Sequence, residues 1–186
     1  MKTLIVIDMQ NDFVTGALGS KEAVAILPNV KKKIEEYVAA DDEVIFTRDT
    51  HGEQYLETNE GKHLPVPHCI KNTEGWNVVP EIDIPDREHI DKPTFGYTGW
   101  TFLRDGDRVM GMRNLTDVEI IGVCTDICVV SNALLLKARL PETKIRVAAG
   151  CCAGVTPDSH AAALKTMQMC QIDVYYPINN VFGRKE

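Results

Sequence analysis

The chain has 186 residues, a net charge of −7, 44% hydrophobic residues and 25% charged residues. This composition excludes a disordered or fibrous chain and is that of one globular domain, residues 1–186. Its single basic run, Lys31-Lys32-Lys33, is followed by Glu35-Glu36, a solvated helix face, so nucleic acid is not an expected partner. No apolar run approaches the ~18 residues of a membrane span, and Leu4 to Ile7 is too short for a signal peptide, so neither membrane nor export is expected. The six cysteines, Cys69, Cys124, Cys128, Cys151, Cys152 and Cys170, lack the spacing of a secreted disulfide scaffold and form no CxxC pair. Free thiols in the cytoplasm are the simplest expectation.

In chain order, Thr3 to Asp8 reads as a buried strand ending on a carboxylate. A helix opened by Pro28 follows, with Val30, Ile34 and Val38 on one face. Glu43 to Thr47 is a second strand, Glu88 to Asp91 a third, and Asp117 to Val123 a fourth. A helix over Asp126 to Lys137 comes next, with Thr125 as its N-cap, then a strand over Ile145 to Ala149. A further helix starts at Thr156-Pro157-Asp158, with Thr156 as cap and Pro157 in the first helical position. Ile172 to Tyr176 is the last strand. Strands alternating with helices predict a three-layer α/β/α fold with a mostly parallel sheet of about six strands. In such sheets ligands gather at the carboxyl ends of the strands.

The segment Arg48 to Arg87 is rich in Pro, Gly, His and charge and has little periodicity, which for a loop of that length favours a functional role. Asp49-Thr50-His51 lies at its start and His68 further along. One carboxylate and two imidazoles suit zinc, iron or manganese. Glu57, Glu60 and His63 are nearby candidates for an extra ligand, although each reads better as a solvated loop residue. His89 and His160 lie outside the loop and receive no role.

Asp8 sits at a strand end, where a turn-forming Asp is the plain alternative. Cys128 falls in the first turn of a helix, where the positive helix end favours a thiolate and free N–H groups can hold an oxyanion. A buried apolar cysteine is the alternative there. Lys92 directly follows the third strand and by itself reads as a surface lysine. If it reaches a strand-end pocket, its charge favours both a thiolate and an ionised Asp8.

These pieces together resemble the isochorismatase-like cysteine hydrolase superfamily, most closely its nicotinamidase branch. The resemblance rests on VIDMQNDF (6–13), FTRDTH (46–51), PVPHC (65–69), DKPTFGYTGW (91–100) and GVCTDICV (122–129). It implies a triad of Asp8, Lys92 and Cys128, a cis peptide between Val123 and Cys124, and an oxyanion hole from the backbone N–H groups of Cys124 and Cys128. It further implies one divalent metal, zinc first and iron or manganese as alternatives, on Asp49, His51 and His68. Phe13 would wall the substrate ring, with Tyr97 and Trp100 as further walls. The implied reaction is hydrolysis of a small-molecule amide, nicotinamide in the first place, to an acid and ammonia through a thioester on Cys128, as in NAD salvage. A homo-oligomer is implied by resemblance alone. The chain departs from the branch before the second histidine: Leu64-Pro65-Val66-Pro67 stands where a stacking Trp is usual. The alternatives are a metal-free relative acting on another small amide or ureido compound, and a non-enzymatic binding or thiol-redox protein that uses Cys124 and Cys128.

Overall fold

The computed structural model describes residues 1–102 and 115–177. Its elements are β1 (Thr3–Ile7), α1 (Asn11–Val14), α2 (Lys21–Ala39), β2 (Glu43–Asp49), α3 (Asn59–His63), β3 (Glu88–Lys92), β4 (Asp117–Val123), α4 (Val130–Arg139), β5 (Lys144–Ala153), α5 (Pro157–Met169) and β6 (Asp173–Tyr175). The strands form one sheet in the order β3-β2-β1-β4-β5-β6, and every neighbouring pair is parallel.

Side-chain alternation along β1 explains the three layers. Leu4 and Val6 pack on one face with Val30 and Ile34 of α2, while Ile5 and Ile7 pack on the other with α4 and α5 residues Ala133, Leu136 and Leu164. Both faces are covered, so the strands are apolar almost throughout, as a parallel sheet requires.

Helix α2 begins seven residues before Pro28. Ser20 caps it, its side chain accepting the N–H of Ala23, and Pro28 lies inside the helix. The cap and the apolar face outweigh the single hydrogen bond that the proline removes. Val30 and Ile34 face the core as expected, but Val38 is exposed and Tyr37 is buried in its place. Strand β5 runs to Ala153, past the expected end at Ala149. Thr156 caps α5 as expected, in a reciprocal box with Ser159.

The chain builds β1, β2 and β3 outward in one direction, then returns to place β4 on the other side of β1. That reversal is the topological switch point, where parallel α/β sheets bind ligands. The register aligns the strand ends there: Ile7 lies opposite Thr47 and Gly122, and Asp49 opposite Lys92. Gly122 makes the close approach at this point feasible. Its φ is +116°, and a Cβ there would stand 2.1 Å from the Ile7 carbonyl oxygen.

Candidate active site and metal centre

Asp8 stands one residue beyond β1 with φ +48°, a left-handed conformation that Asp tolerates better than most residues. Thr47 holds the turn. Its backbone carbonyl accepts the Asp8 N–H at 3.2 Å, and its hydroxyl donates to Asp8 Oδ1 at 2.7 Å. Lys92, at the end of β3, is fully buried like Asp8 and places Nζ 2.6 Å from Asp8 Oδ2. The same ammonium lies 3.7 Å from Cys128 Sγ and 3.7 Å from Asp49 Oδ1. Lys92 is therefore no surface lysine, and the structure brings Asp8, Lys92 and Cys128 into one buried cluster.

Cys128 sits in a turn wider than an α-helix. The Cys124 carbonyl accepts the N–H groups of Ile127 and of Val129, and neither bond uses the Cys128 amide. The five-residue bond to Val129 makes Thr125–Val129 a π-type turn leading into α4, a form common at functional sites. Thr125 is the turn's first residue and not its cap; its hydroxyl instead pairs with His160 Nδ1 at 2.8 Å. The Val123–Cys124 peptide is cis, as the resemblance implies.

The electrostatics differ from a helix-end thiolate. Burial pushes the Cys128 thiol well above its ordinary range, the neighbouring Asp8 carboxylate adds to this, and Lys92 offsets it only in part. Burial likewise raises Asp8 despite the opposing charge of Lys92. Burial works against the Lys92 ammonium, yet Asp8, Cys128 and Asp49 together hold its pKa above the usual lysine range. Burial thus acts against charge on both the Cys128 thiol and the Asp8 carboxyl, and the Lys92 ammonium is the group that opposes it in each case.

A second cluster adjoins the first. His51 Nε2 lies 2.8 Å from Asp49 Oδ2 and 3.6 Å from Glu60 Oε1. His68 Nε2 lies 3.5 Å from Asp49 Oδ2 and 3.9 Å from Glu60 Oε1. One ligand atom from each of Asp49, His51, Glu60 and His68 falls within 4.8 Å of all the others. Ligand bonds of ~2.0–2.2 Å to zinc place tetrahedral ligands about 3.4 Å apart, which these spacings bracket. Asp49 Oδ1 and His51 Nε2 are buried without a hydrogen-bond partner, a costly arrangement that a cation would relieve. His68 Nδ1 bonds the Val66 carbonyl at 2.8 Å; donating there leaves Nε2 with its lone pair facing the cluster, the usual outer-shell arrangement of a metal-binding histidine. The donor set therefore fits a divalent metal. Burial alone would raise the Asp49 carboxyl, but His51, His68 and Lys92 hold it well below the usual carboxylate range, so it is available as an anionic ligand.

Glu60 is the residue that reading the loop as solvated missed. Thr58 caps α3 through Gly61 N–H, and Gly61 fits against Tyr55, where a Cβ would stand 2.1 Å from the Tyr55 carbonyl oxygen. Tyr55 in turn packs against both imidazoles, with ring centroids 4.7 Å from His51 and 4.9 Å from His68. Thr58 and Gly61 mark the short helix, but nothing in the sequence marks the approach of Glu60 to the histidines. His63 is turned away, its Nδ1 bonding the Asn59 carbonyl, and Glu57 is exposed.

Of the expected substrate walls, Phe13 packs at 5.5 Å against the His68 ring, beside the metal cluster. Tyr97 packs edge-on against Trp100. Trp100 is fully buried, with its indole N–H donated to Asn132 Oδ1 at 2.7 Å, so it braces α4 and the Cys128 turn from within the core.

The family model of the isochorismatase domain matches residues 2–175. The nicotinamidase/pyrazinamidase of Mycobacterium tuberculosis is 28% identical, over 94% of this chain and 98% of its own. The nicotinamidase of Schizosaccharomyces pombe is 26% identical, over 92% and 91%. The crystal structure of the pyrazinamidase of Pyrococcus horikoshii in complex with zinc superposes with a TM-score of 0.78 at 28% identity, covering 94% of this chain and 98% of that one. The chain belongs to the isochorismatase family, and within it stands with the nicotinamidases in sequence and in fold.

Proposed function

We propose that the protein is a metal-dependent cysteine amidase that hydrolyses nicotinamide to nicotinate and ammonia. The observation that carries this reading is the contact between two buried clusters, Asp8/Lys92/Cys128 and Asp49/His51/Glu60/His68, through Lys92. A metal bound by the second cluster would supply a Lewis-acidic site for the pyridine nitrogen and so orient the ring. Phe13, on the His68 side, would cover one ring face.

The chemistry belongs to the chain's own residues. Asp8 takes the Cys128 thiol proton as the sulfur attacks the amide carbon, and the Lys92 ammonium stabilises the negative charge that passes between them. The oxyanion formed accepts hydrogen bonds from the Cys124 and Cys128 N–H groups. Asp8 then delivers the proton to the amide nitrogen, the C–N bond breaks, and ammonia leaves a thioester on Cys128. Water adds to the thioester carbon and gives one proton to Asp8. Collapse expels the Cys128 thiolate, which recovers that proton, and nicotinate departs.

All six cysteines are free, and among the described residues no helix is long and apolar enough to cross a membrane. Cytoplasmic location, a place in NAD salvage and assembly as a homo-oligomer belong to the same proposal through the family resemblance. The test is ammonia release from nicotinamide by wild type and Cys128→Ala, each with and without a strong chelator. Release that needs both Cys128 and metal is expected. Release that persists in Cys128→Ala would falsify the mechanism. Chelator-resistant release, or turnover of a ureido acid in place of nicotinamide, would move the protein to the metal-free alternative.

A further inference from the structure

The segment that follows Asp8 holds an arrangement the catalytic steps do not use. Gln10 is fully buried, and its amide makes three hydrogen bonds, all to backbone. Nε2 donates to the Asp49 carbonyl at 2.9 Å and to the Trp76 carbonyl at 2.8 Å; Oε1 accepts the Asp49 N–H at 2.7 Å. One side chain thus satisfies both main-chain polar groups of Asp49, where β1 has already ended and no strand neighbour remains on that side.

Two residues on, Asp12 does the same for the histidines. Its Oδ2 accepts the Cys69 N–H at 2.8 Å, which is the peptide joining His68 to Cys69. The Cys69 carbonyl accepts the His51 N–H at 3.0 Å. A single peptide unit on either side of the Cys69 Cα, at φ +47°, therefore fixes both imidazole-bearing residues, and Asp12 anchors it. Asp12 is itself held: its N–H donates to the Gly75 carbonyl at 3.0 Å, its Oδ1 accepts the Ala17 N–H at 3.2 Å, and a Cβ on Gly75 would stand 2.1 Å from Oδ2.

We infer that Gln10 and Asp12 are positioning residues of the metal centre, which fix the backbones of Asp49, His51 and His68 relative to the strand that carries Asp8. This rests on the metal-dependent reading above. Neither side chain touches a donor atom of the cluster in the contacts described, so the effect passes through main chain. Partners of this outer kind typically change metal affinity by about 10–100-fold when removed.

The experiment is a zinc titration against a chromophoric chelator with wild type, Asp12→Asn and Gln10→Met. It is paired with iodoacetamide labelling of Cys128 in the zinc-free proteins, read on the Cys128 peptide. Zinc affinity should fall about 10–100-fold in both variants while the Cys128 labelling rate stays at the wild-type value. Raising zinc should restore turnover, so that the activating concentration shifts and kcat does not. Asp12→Asn keeps the shape of the side chain and one acceptor oxygen, so it serves as the milder variant should Gln10→Met not fold. Wild-type zinc affinity in folded Asp12→Asn overturns the inference, and so does a parallel loss of zinc binding and normal Cys128 labelling, which would mark general loosening. If wild type itself binds no zinc, the metal-dependent reading fails first and the inference with it.

Discussion

The balance of charge in the catalytic cluster turns on Lys92. Its ammonium is the shared counter-charge of Asp8 at 2.6 Å and Asp49 at 3.7 Å, in a site where none of the three side chains has meaningful contact with solvent. Replacing it by Met keeps much of the stem packing but leaves two buried carboxylates facing each other. Breaking a buried pair from one side costs about 3–5 kcal/mol, and loss of a group that stabilises proton transfer costs roughly 10²–10⁴ in rate. Lys92→Met should therefore lower the urea midpoint and reduce single-turnover thioester formation together. Lys92→Arg should not rescue either, because a planar guanidinium cannot occupy the compact space between Asp8, Asp49 and Cys128. Wild-type single-turnover rates in either variant would remove Lys92 from the mechanism. Asp8, Lys92 and Cys128 were legible through the family resemblance; by itself Lys92, ending the polar strand EHIDK, reads as a surface lysine. Glu60 was not legible, because its approach to the histidines depends on how the short helix α3 seats against Tyr55, which no spacing records. The upward shift of the Cys128 thiol also escaped the sequence, since burial outweighs the helix-end field that the first-turn position suggests.

One level up, the nucleophile's turn is braced from two sides. Asn132 of α4 donates to the Cys128 carbonyl at 2.8 Å and to the Phe95 carbonyl at 3.1 Å, and accepts from the Tyr97 N–H and the Trp100 indole. It thus ties the nucleophile's helix to the loop that follows Lys92. Asn132→Ala should lower kcat by about 10²-fold, the scale of an ångström-sized misplacement of reacting groups, with the thiol still alkylated by iodoacetamide. Unchanged kcat would show that the loop holds its position without this link. On the other side His160 of α5 bonds Thr125, while Asp126 accepts the Val155 N–H. Burial lowers the His160 pKa below its usual value near 6.5, with Asp126 opposing only in part. As pH falls through about 6.5, the unfolded chain takes up a proton at this position that the folded chain resists. Stability contributed by His160 is then present above that pH and lost below it. Urea midpoints from pH 7.5 to pH 5 should decline less steeply in His160→Asn than in wild type; parallel curves would show that another group carries the acid sensitivity. The strand and helix sequence was readable from β-branched runs and caps, and Thr156 was found by its cap chemistry alone. The start of α2 was not, because Pro28 mimics a first helical residue so well that it masks the true cap at Ser20.

Across the whole molecule, the carboxyl ends of the strands carry the candidate site, and a separate polar cluster lies nearer their starts. Glu119 lies in β4 opposite Leu4, four residues before Asp8 along the strand direction and so roughly 13 Å from the active site. It is almost fully buried and accepts the Tyr37 hydroxyl of α2 at 2.7 Å and the Tyr175 hydroxyl of β6. Lys33 of α2 stands 3.7 Å away and Arg146 of β5 3.9 Å. One carboxylate thus joins a covering helix to three adjacent strands. Burial and then Glu119 itself raise both phenols, Tyr175 to about 12 and Tyr37 further, so they remain donors at any ordinary pH. No sequence pattern marks this group, since a lone Glu in an apolar strand has no period and its partners lie 82 and 56 residues away. Glu119→Leu would bury two hydroxyls and leave two cations without their common anion. A loss of about 3–5 kcal/mol in unfolding free energy is expected, the scale for removing one side of a buried ionic group, with the mean of urea and thermal unfolding as the readout. Because Asp8, Asp49, Lys92 and Cys124 lie at the carboxyl ends of their strands, away from Glu119 near the start of β4, kcat per folded molecule should hold at the wild-type value well below the new melting temperature. A drop in kcat without a drop in stability would mean that the two ends of the strands are coupled, and that Glu119 sets the register in which β1 and β4 deliver Asp8 and Cys128 to each other.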